Sequence, residues 1–187
     1  MDHYIDIRLL PDPELAGAHL MDVLFGKLHL ALAARQVGDI GVSFPGVASG
    51  RHGLGDRLRL HGSAAALDGL MAGRWLAGLS DHVSIGLMQP VPADAPHRGV
   101  RRVQAKSSAA RIRRRQMRRH GYNEAQALER VPDTVERTLT LPYVSLRSAS
   151  TGQPFRLFVE HGPLLAVARP GHFSAYGLSP EATIPWF

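Results

Sequence analysis

Polar and apolar residues alternate along Tyr4-Ile5-Asp6-Ile7-Arg8-Leu9, the period-two pattern of a half-buried strand. Pro11-Asp12-Pro13-Glu14 suits the opening of a helix, and Leu15, Ala18, Met21, Leu24, Phe25, Leu28 and Leu32 then recur at helical spacing to about Ala34. Asp39 to Phe44 reads as a second strand, stopped by Pro45-Gly46 and followed by a glycine-rich loop to Gly55. Arg57-Leu58-Arg59-Leu60-His61 alternates as a third strand, Ala64 to Ala72 is a second helix weakened by Gly69, and a fourth strand runs near His82 to Leu87. The order β-α-β-β-α-β predicts a ferredoxin-like unit with a four-stranded antiparallel sheet.

The proline-rich run from Met88 to Pro96 is the best domain boundary in the chain, giving a ferredoxin-like domain over 1–94 and a second part over 95–187. In the second part, Gly99 to Ala105 reads as a short strand or extended linker with Arg102 and Gln104 on one side. An arginine-rich helix follows from Ser107 to His120, then a short helix from Glu124 to about Val131, ended by Pro132-Asp133. Strands are expected at Tyr143 to Arg147, Phe155 to Glu160, Leu165 to Ala168 and Phe173 to Gly177, with turns at Thr151-Gly152, Gly162-Pro163 and Pro170-Gly171. The fold class is α+β.

On a helical projection, Arg111, Arg114, Arg115, Arg118 and Arg119 fall on one stripe of roughly 140°, while Ala109, Ile112, Gln116 and Met117 take the rest. Ser107 or Ser108 is suited to cap its start, and Gly121 to stop it. As a helix the stretch is about 21 Å long, enough to lie along several phosphates. A solvated helix face usually interleaves such charges with Asp or Glu at helical spacing, yet no acidic residue occurs from Ala95 to Asn123. Unpaired like charges this close destabilise a helix unless a polyanion neutralises them, so the stretch points to nucleic acid. A membrane-surface helix needs a bulky apolar face opposite the charge, and only Ile112 and Met117 offer one.

The formal charge of +6 agrees with a polyanionic partner. With only two lysines, Lys27 and Lys106, the cationic side chains are mostly guanidinium forks, which bind phosphate oxygens and base edges bidentately. The absence of cysteine excludes disulfides, thiolate zinc sites and a cysteine nucleophile. The first residues show no signal-peptide pattern and no run is long enough for a membrane span, so a cytoplasmic protein without membrane contact is expected.

No phosphate-binding loop, His-Glu-x-x-His or paired-aspartate motif occurs. His3 and Asp6 would lie on opposite faces of a strand, an unsuitable metal pair. No cofactor is expected. If the chain cuts a phosphodiester, metal-free chemistry on RNA fits best: the 2′-hydroxyl is the nucleophile, and the protein must take its proton, orient the attack and stabilise charge. Histidine is the natural base, and periodicity does not choose among the ten present. His29, about 40° from the apolar positions Leu28 and Leu32, reads on periodicity alone as a half-buried histidine near a helix end rather than as the base. In the run Ser145 to Gly152, alternation puts Ser148 and Ser150 on one face, where hydroxyls reach a ribose or phosphate, or merely lead into a turn. Phe155 is either a base-stacking ring or a core residue.

Several stretches taken together resemble the subtype I-F (Yersinia-type) CRISPR repeat-processing endoribonucleases. They are Met21-Asp22-Val23-Leu24-Phe25-Gly26-Lys27-Leu28-His29, Arg102-Val103-Gln104-Ala105-Lys106-Ser107, the arginine helix with Arg118-Arg119-His120, Leu146-Arg147-Ser148-Ala149-Ser150-Thr151-Gly152-Gln153, and the final Pro185-Trp186-Phe187. The match covers essentially the whole chain in order. It implies a pre-crRNA endonuclease that binds the hairpin of a CRISPR repeat and cuts once at the 3′ base of its stem, without metal, to yield mature crRNA. It implies His29 as base, Ser148 as holder of the attacking hydroxyl, and Tyr176 as the tyrosine that positions His29. It implies RNA contacts from Arg102, Gln104, Ser107, Arg111, Arg114, Arg115, Arg118, Arg119, His120, Ser150, Thr151 and Phe155. Arg102 and Gln104 would read bases near the foot of the stem, where Arg to guanine and Gln to adenine are the geometrically favoured pairs. Phe155 would stack below the last base pair. Other proteins of a type I-F surveillance complex are the further partners implied. The chain departs from the broader repeat-endonuclease superfamily in one respect: Arg169 to Gly177 does not reproduce its glycine-rich loop. A non-catalytic RNA-hairpin binder and a double-stranded DNA binder are the alternatives.

Overall fold

The computed structural model describes residues 1–47, 53–104, 109–132, 139–148 and 151–187, and of 110 and 111 the backbone alone. Its described elements, in order, are β1 (His3–Leu9), α1 (Gly17–Arg35), β2 (Gly41–Ser43), β3 (Arg57–Gly62), α2 (Ala64–Met71), β4 (Val83–Ile85), β5 (Gln89–Pro90), β6 (His97–Val103), α3 (Ala109–His120), α4 (Glu124–Arg130), β7 (Tyr143–Arg147), β8 (Pro154–Leu165) and β9 (Thr183–Pro185). No described helix is long and apolar enough to cross a membrane. The chain divides into a larger unit, Met1–Arg102 with Leu141–Phe187, and a smaller one, Val103–Thr140; residues 88–96 lie within the larger.

The first six elements are the expected β-α-β-β-α-β series, and their strands pair in the antiparallel order β2-β3-β1-β4 of a ferredoxin-like sheet. Ile5, Ile7 and Leu9 of β1 alternate into the core, where Leu24, Phe25 and Leu28 of α1 are fully buried. Each such side chain contributes about 1.5–3 kcal/mol by leaving water. Residues Leu58 to Gly62 of β3 are buried without alternation, because both sides of the strand are covered. On the second side Arg59 gives Asp6 two hydrogen bonds, of 2.6 and 2.9 Å, and donates to the Phe187 main-chain oxygen while lying over the Tyr4 and Phe187 rings. Ser43 and His61 share a buried hydrogen bond of 2.8 Å.

Several local expectations change. Helix α1 begins at Gly17, not in the Pro-Asp-Pro stretch: Asp12 Oδ1 accepts the amides of Glu14 and Leu15, which holds that stretch in a local turn, and Ala16 is extended. The connector after Met88 is partly sheet, since Gln89 and Pro90 pair with Tyr4 and His3 as β5. Gly162-Pro163 does not turn the chain: β8 runs through it to Leu165, and Arg98 Nε donates to the Gly162 carbonyl. Residues Leu165 to Ala168 leave the sheet after Leu165, with Val167 exposed. The strand expected at Phe173 to Gly177 is a turn, and β9, which pairs with β6, is additional. The second sheet has the order β7-β8-β6-β9.

In the smaller unit Gly121, at φ 70°, ends α3 with its amide on the Met117 carbonyl. Asn123 and Gln126 form a capping box that starts α4. Ala109, Ala127 and Val131 are buried, and Arg113 Nε donates to the Val131 carbonyl at 2.7 Å.

Candidate active site

The centre of the site is assembled from three separated pieces of the larger unit, the middle of α1, the turn after β7 and the turn at Ser174–Gly177, with Arg102 of β6 and Phe155 of β8 beside them. The Ser174–Gly177 turn is fixed by its glycine. Gly177 has φ 67°, which a side chain rarely adopts, its amide donates to the Ser174 carbonyl at 2.8 Å, and its own carbonyl accepts the Val42 amide at 2.9 Å. A Cβ on Gly177 would meet Val42 Cγ1 at 2.6 Å, so strand β2 and the turn approach as closely as they do only with glycine.

This turn delivers two groups to His29. The Ala175 carbonyl lies 2.9 Å from His29 Nδ1, and the Tyr176 ring stacks on the imidazole with centroids 4.0 Å apart and planes 10° off parallel. Phe25, one helical turn before His29 and fully buried, lies parallel to Tyr176 at 6.4 Å. A carbonyl can only accept, so Nδ1 carries the hydrogen, and in the neutral ring the lone pair is on Nε2. Held at one nitrogen and along one face, the half-buried His29 has the tautomer and fixed plane that a proton acceptor needs.

Ser148 ends β7 in a tight turn. Its amide donates to the Gln153 carbonyl, its carbonyl accepts from Gly152, and its Oγ accepts the Thr151 amide at 3.3 Å. This replaces the strand continuation expected for Ser148; Ser150, its expected face-mate, lies outside the described residues. Across the sheet register Arg147 opposes Pro154, and Phe155 follows, half-buried. The guanidinium of Arg102 stands 5.7 Å from the Phe155 ring centre and 5.4 Å from that of Tyr176.

All these side chains line one open cleft of about 520 Å³: His29, Arg102, Arg147, Ser148, Thr151, Gln153, Pro154, Phe155 and Tyr176. Six of them carry a role implied by the resemblance described above. Arg147, Gln153 and Pro154 were not singled out, although Arg147 and Pro154 flank residues that were. The Ala175 carbonyl was also missed, and no side-chain pattern reveals a main-chain acceptor.

The remaining predicted RNA contacts belong to the smaller unit, apart from those outside the described residues. Gln104 is exposed just beyond β6. On α3, Arg114, Arg115, Arg118, Arg119 and His120 are exposed, whereas Ile112, Arg113, Gln116 and Met117 are half-buried, so the helix has a cationic face and a packed one. His120 stacks on Tyr122 at 5.4 Å, and Arg130 lies over the same ring at 4.5 Å. Ser107 lies outside the described residues, and Arg111 is described in its backbone only. Among the described residues, no three His, Asp or Glu side chains come together as a metal-binding group.

A family model described as "CRISPR-associated protein (Cas_Csy4)" matches residues 4–187. Over all 187 residues the chain is 57% identical to the CRISPR-associated endonuclease Cas6/Csy4 of Pseudomonas aeruginosa (strain UCBPP-PA14). It is 49% identical over the same span to the protein of that name from Escherichia coli (strain UTI89 / UPEC), and each alignment covers the whole of both chains.

Proposed function

This chain belongs to the Cas_Csy4 family of CRISPR-associated proteins, and on that premise we propose that it is an endoribonuclease that binds the CRISPR repeat hairpin of precursor crRNA and cuts at the 3′ base of its stem. The observation that carries the reading is His29, held by the Ala175 carbonyl and stacked on Tyr176 in a cleft it shares with Ser148.

The chemistry follows from that arrangement. Ser148 holds the 2′-hydroxyl of the nucleotide upstream of the cut, and His29 Nε2 removes its proton. The 2′-oxygen attacks the adjacent phosphorus, the new bond to O2′ forms as the bond to the 5′-oxygen breaks, and that oxygen leaves as a hydroxyl after taking up a proton. The upstream product ends in a 2′,3′-cyclic phosphate. Nothing in this sequence requires a metal ion. Holding base and nucleophile at near-attack geometry is where most of the acceleration arises.

Phe155 stacks beneath the last base pair, and Thr151 and Ser150 approach the backbone beside it. Arg102 and Gln104 read bases at the foot of the stem. The cationic face of α3, with Ser107 and Arg111, grips phosphates and base edges of the hairpin. A short stem with open ends relieves the narrowness that otherwise closes an A-form major groove to side chains. The substrate is a transcript, which implies work in the cytoplasm, and the retained crRNA is the link to other proteins of a type I-F surveillance complex.

The test is incubation in excess EDTA with two RNAs carrying the repeat hairpin, one of them 2′-deoxy at the nucleotide before the cut. A single cut, in the ribose RNA alone, is expected. His29→Ala should bind both RNAs and cut neither, with a loss of about 10²–10⁴-fold in rate. If the protein binds both RNAs tightly and cuts neither, it is a hairpin-binding module.

A further inference from the structure

Three residues of α1, Asp22, Gly26 and His29, are spaced as one helical stripe and line a depression shared with Ser145, Leu146 and Arg147 of β7. Gly26 faces Leu146, where an added Cβ would stand 3.7 Å from Leu146 Cδ2, an ordinary contact distance. One turn before it, Asp22 Oδ1 accepts the Ser145 backbone amide at 2.8 Å. Among the described strands β7 is the edge of its sheet, so Asp22 supplies the acceptor that none of them provides on that side. Three residues beyond Ser145, just past the end of the strand, stands Ser148, and two helical turns beyond Asp22 stands His29.

We propose that Asp22 is a positioning residue for the cleavage, its hydrogen bond to Ser145 setting the register of α1 against β7 and hence the placement of His29 relative to Ser148. Apolar contact between Gly26 and Leu146 tolerates sliding along the helix axis; a directional hydrogen bond does not. Burial raises the Asp22 carboxyl above its ordinary range, while the Ser145 amide and His19 act in the opposite sense. In either protonation state an oxygen remains to accept, so the role needs an acceptor and not a charge. Asparagine therefore fills it and alanine does not.

The inference rests on His29 as base and Ser148 as holder of the nucleophile, and the experiment separates the two. Single-turnover cleavage of the hairpin RNA and binding of its 2′-deoxy analogue are measured for the natural protein, Asp22→Ala, Asp22→Asn and His29→Ala. Asp22→Ala should cleave about tenfold more slowly with its Kd unchanged, and Asp22→Asn should recover the natural rate to within about twofold. Natural-rate cleavage by Asp22→Ala beside an inactive His29→Ala overturns the inference and leaves the proposed function standing. So does an Asp22→Asn variant as slow as Asp22→Ala, or a loss of binding in step with the loss of cleavage. A His29→Ala variant that cuts at the natural rate removes the reading on which the inference rests.

Discussion

The Tyr176 ring lies flat against the His29 imidazole, centroids 4.0 Å apart, although 146 residues separate His29 from Ala175, the residue before Tyr176, whose carbonyl bonds the same imidazole. The contact is made by the ring face, so it survives loss of the hydroxyl. Tyr176→Phe should cleave hairpin RNA at close to the natural rate. Tyr176→Ala leaves the imidazole pinned at Nδ1 but free to tilt, and should slow the chemical step about tenfold without weakening RNA binding. Single-turnover rates beside binding titrations test this; equal rates for the Phe and Ala variants would show that the carbonyl alone orients His29.

Arg59 is the hub between the first sheet and the Trp186-Phe187 segment. At 4% exposure it is bonded to both Asp6 oxygens and to Phe187, with its guanidinium against the adjoining Tyr4 and Phe187 rings. Among the described residues, Arg59→Ala leaves the Asp6 carboxylate with Arg57, at 3.7 Å, as its ion-pair partner, and should destabilise the protein by about 3–5 kcal/mol in urea unfolding. A loss below about 1 kcal/mol would mean that the segment packs without this anchor.

The alternating and 3.6-residue patterns gave β1, α1, α2 and β7 because each of them has one face on a core and another nearer water. Strand β3 alternates in sequence too, yet it is buried on both sides, because Arg59 and His61 find their partners on neighbouring elements, Asp6 and Phe187 for one and Ser43 for the other. Elsewhere the local pattern misleads. Strand β8 crosses Gly162-Pro163, a dipeptide that elsewhere marks a turn, and β9 is a three-residue strand whose partners lie some ninety residues back. At the site, the residue pattern offered Ser148 and Phe155 as open candidates and the family resemblance gave them roles, whereas Tyr176 was reachable through the resemblance alone: the Ser174–Gly177 turn looked like a strand because Phe173, Ala175 and Gly177 alternate with Ser174 and Tyr176. The stripe on the arginine helix was legible from spacing alone, since Arg113, the one arginine of α3 described as half-buried, falls off it.

Burial pushes His61 down to about 3, with the Arg59 charge adding to the effect, and burial likewise lowers His161 to about 4 beside Arg98. Both are therefore neutral in the folded protein where they would be protonated in the unfolded chain. The unfolded state binds the extra proton between the ordinary histidine value of 6.5 and these lowered ones, so stability is complete above pH 6.5 and falls as the pH drops through this window. For the fully buried His61, the loss on going from pH 7 to pH 5 is about 2 kcal/mol. His61→Gln retains a partner for Ser43 but cannot titrate, and its urea-unfolding free energy should vary less between those pH values by about that amount. An unchanged pH dependence would assign the acid sensitivity elsewhere.

The exposed arginines of α3 make a prediction that distinguishes phosphate contacts from base reading. Each guanidinium that neutralises a phosphate releases a counterion, so Arg115→Ala or Arg119→Ala should weaken hairpin binding by about 1–3 kcal/mol. For a phosphate contact the loss is the same for every stem sequence, and the slope of log affinity against log salt falls by about 1. For a base contact the slope stays nearly constant and discrimination between stem sequences relaxes at one position. Arg113 offers the internal control, because its guanidinium is half-buried and bonded to the Val131 carbonyl. Arg113→Ala should lower the thermal stability of the α3–α4 pair while leaving the salt slope intact. Titrations of natural and base-substituted hairpins at several salt concentrations decide among these outcomes, and full-strength binding by an Arg115→Ala, Arg119→Ala double variant would remove the helix from the RNA interface.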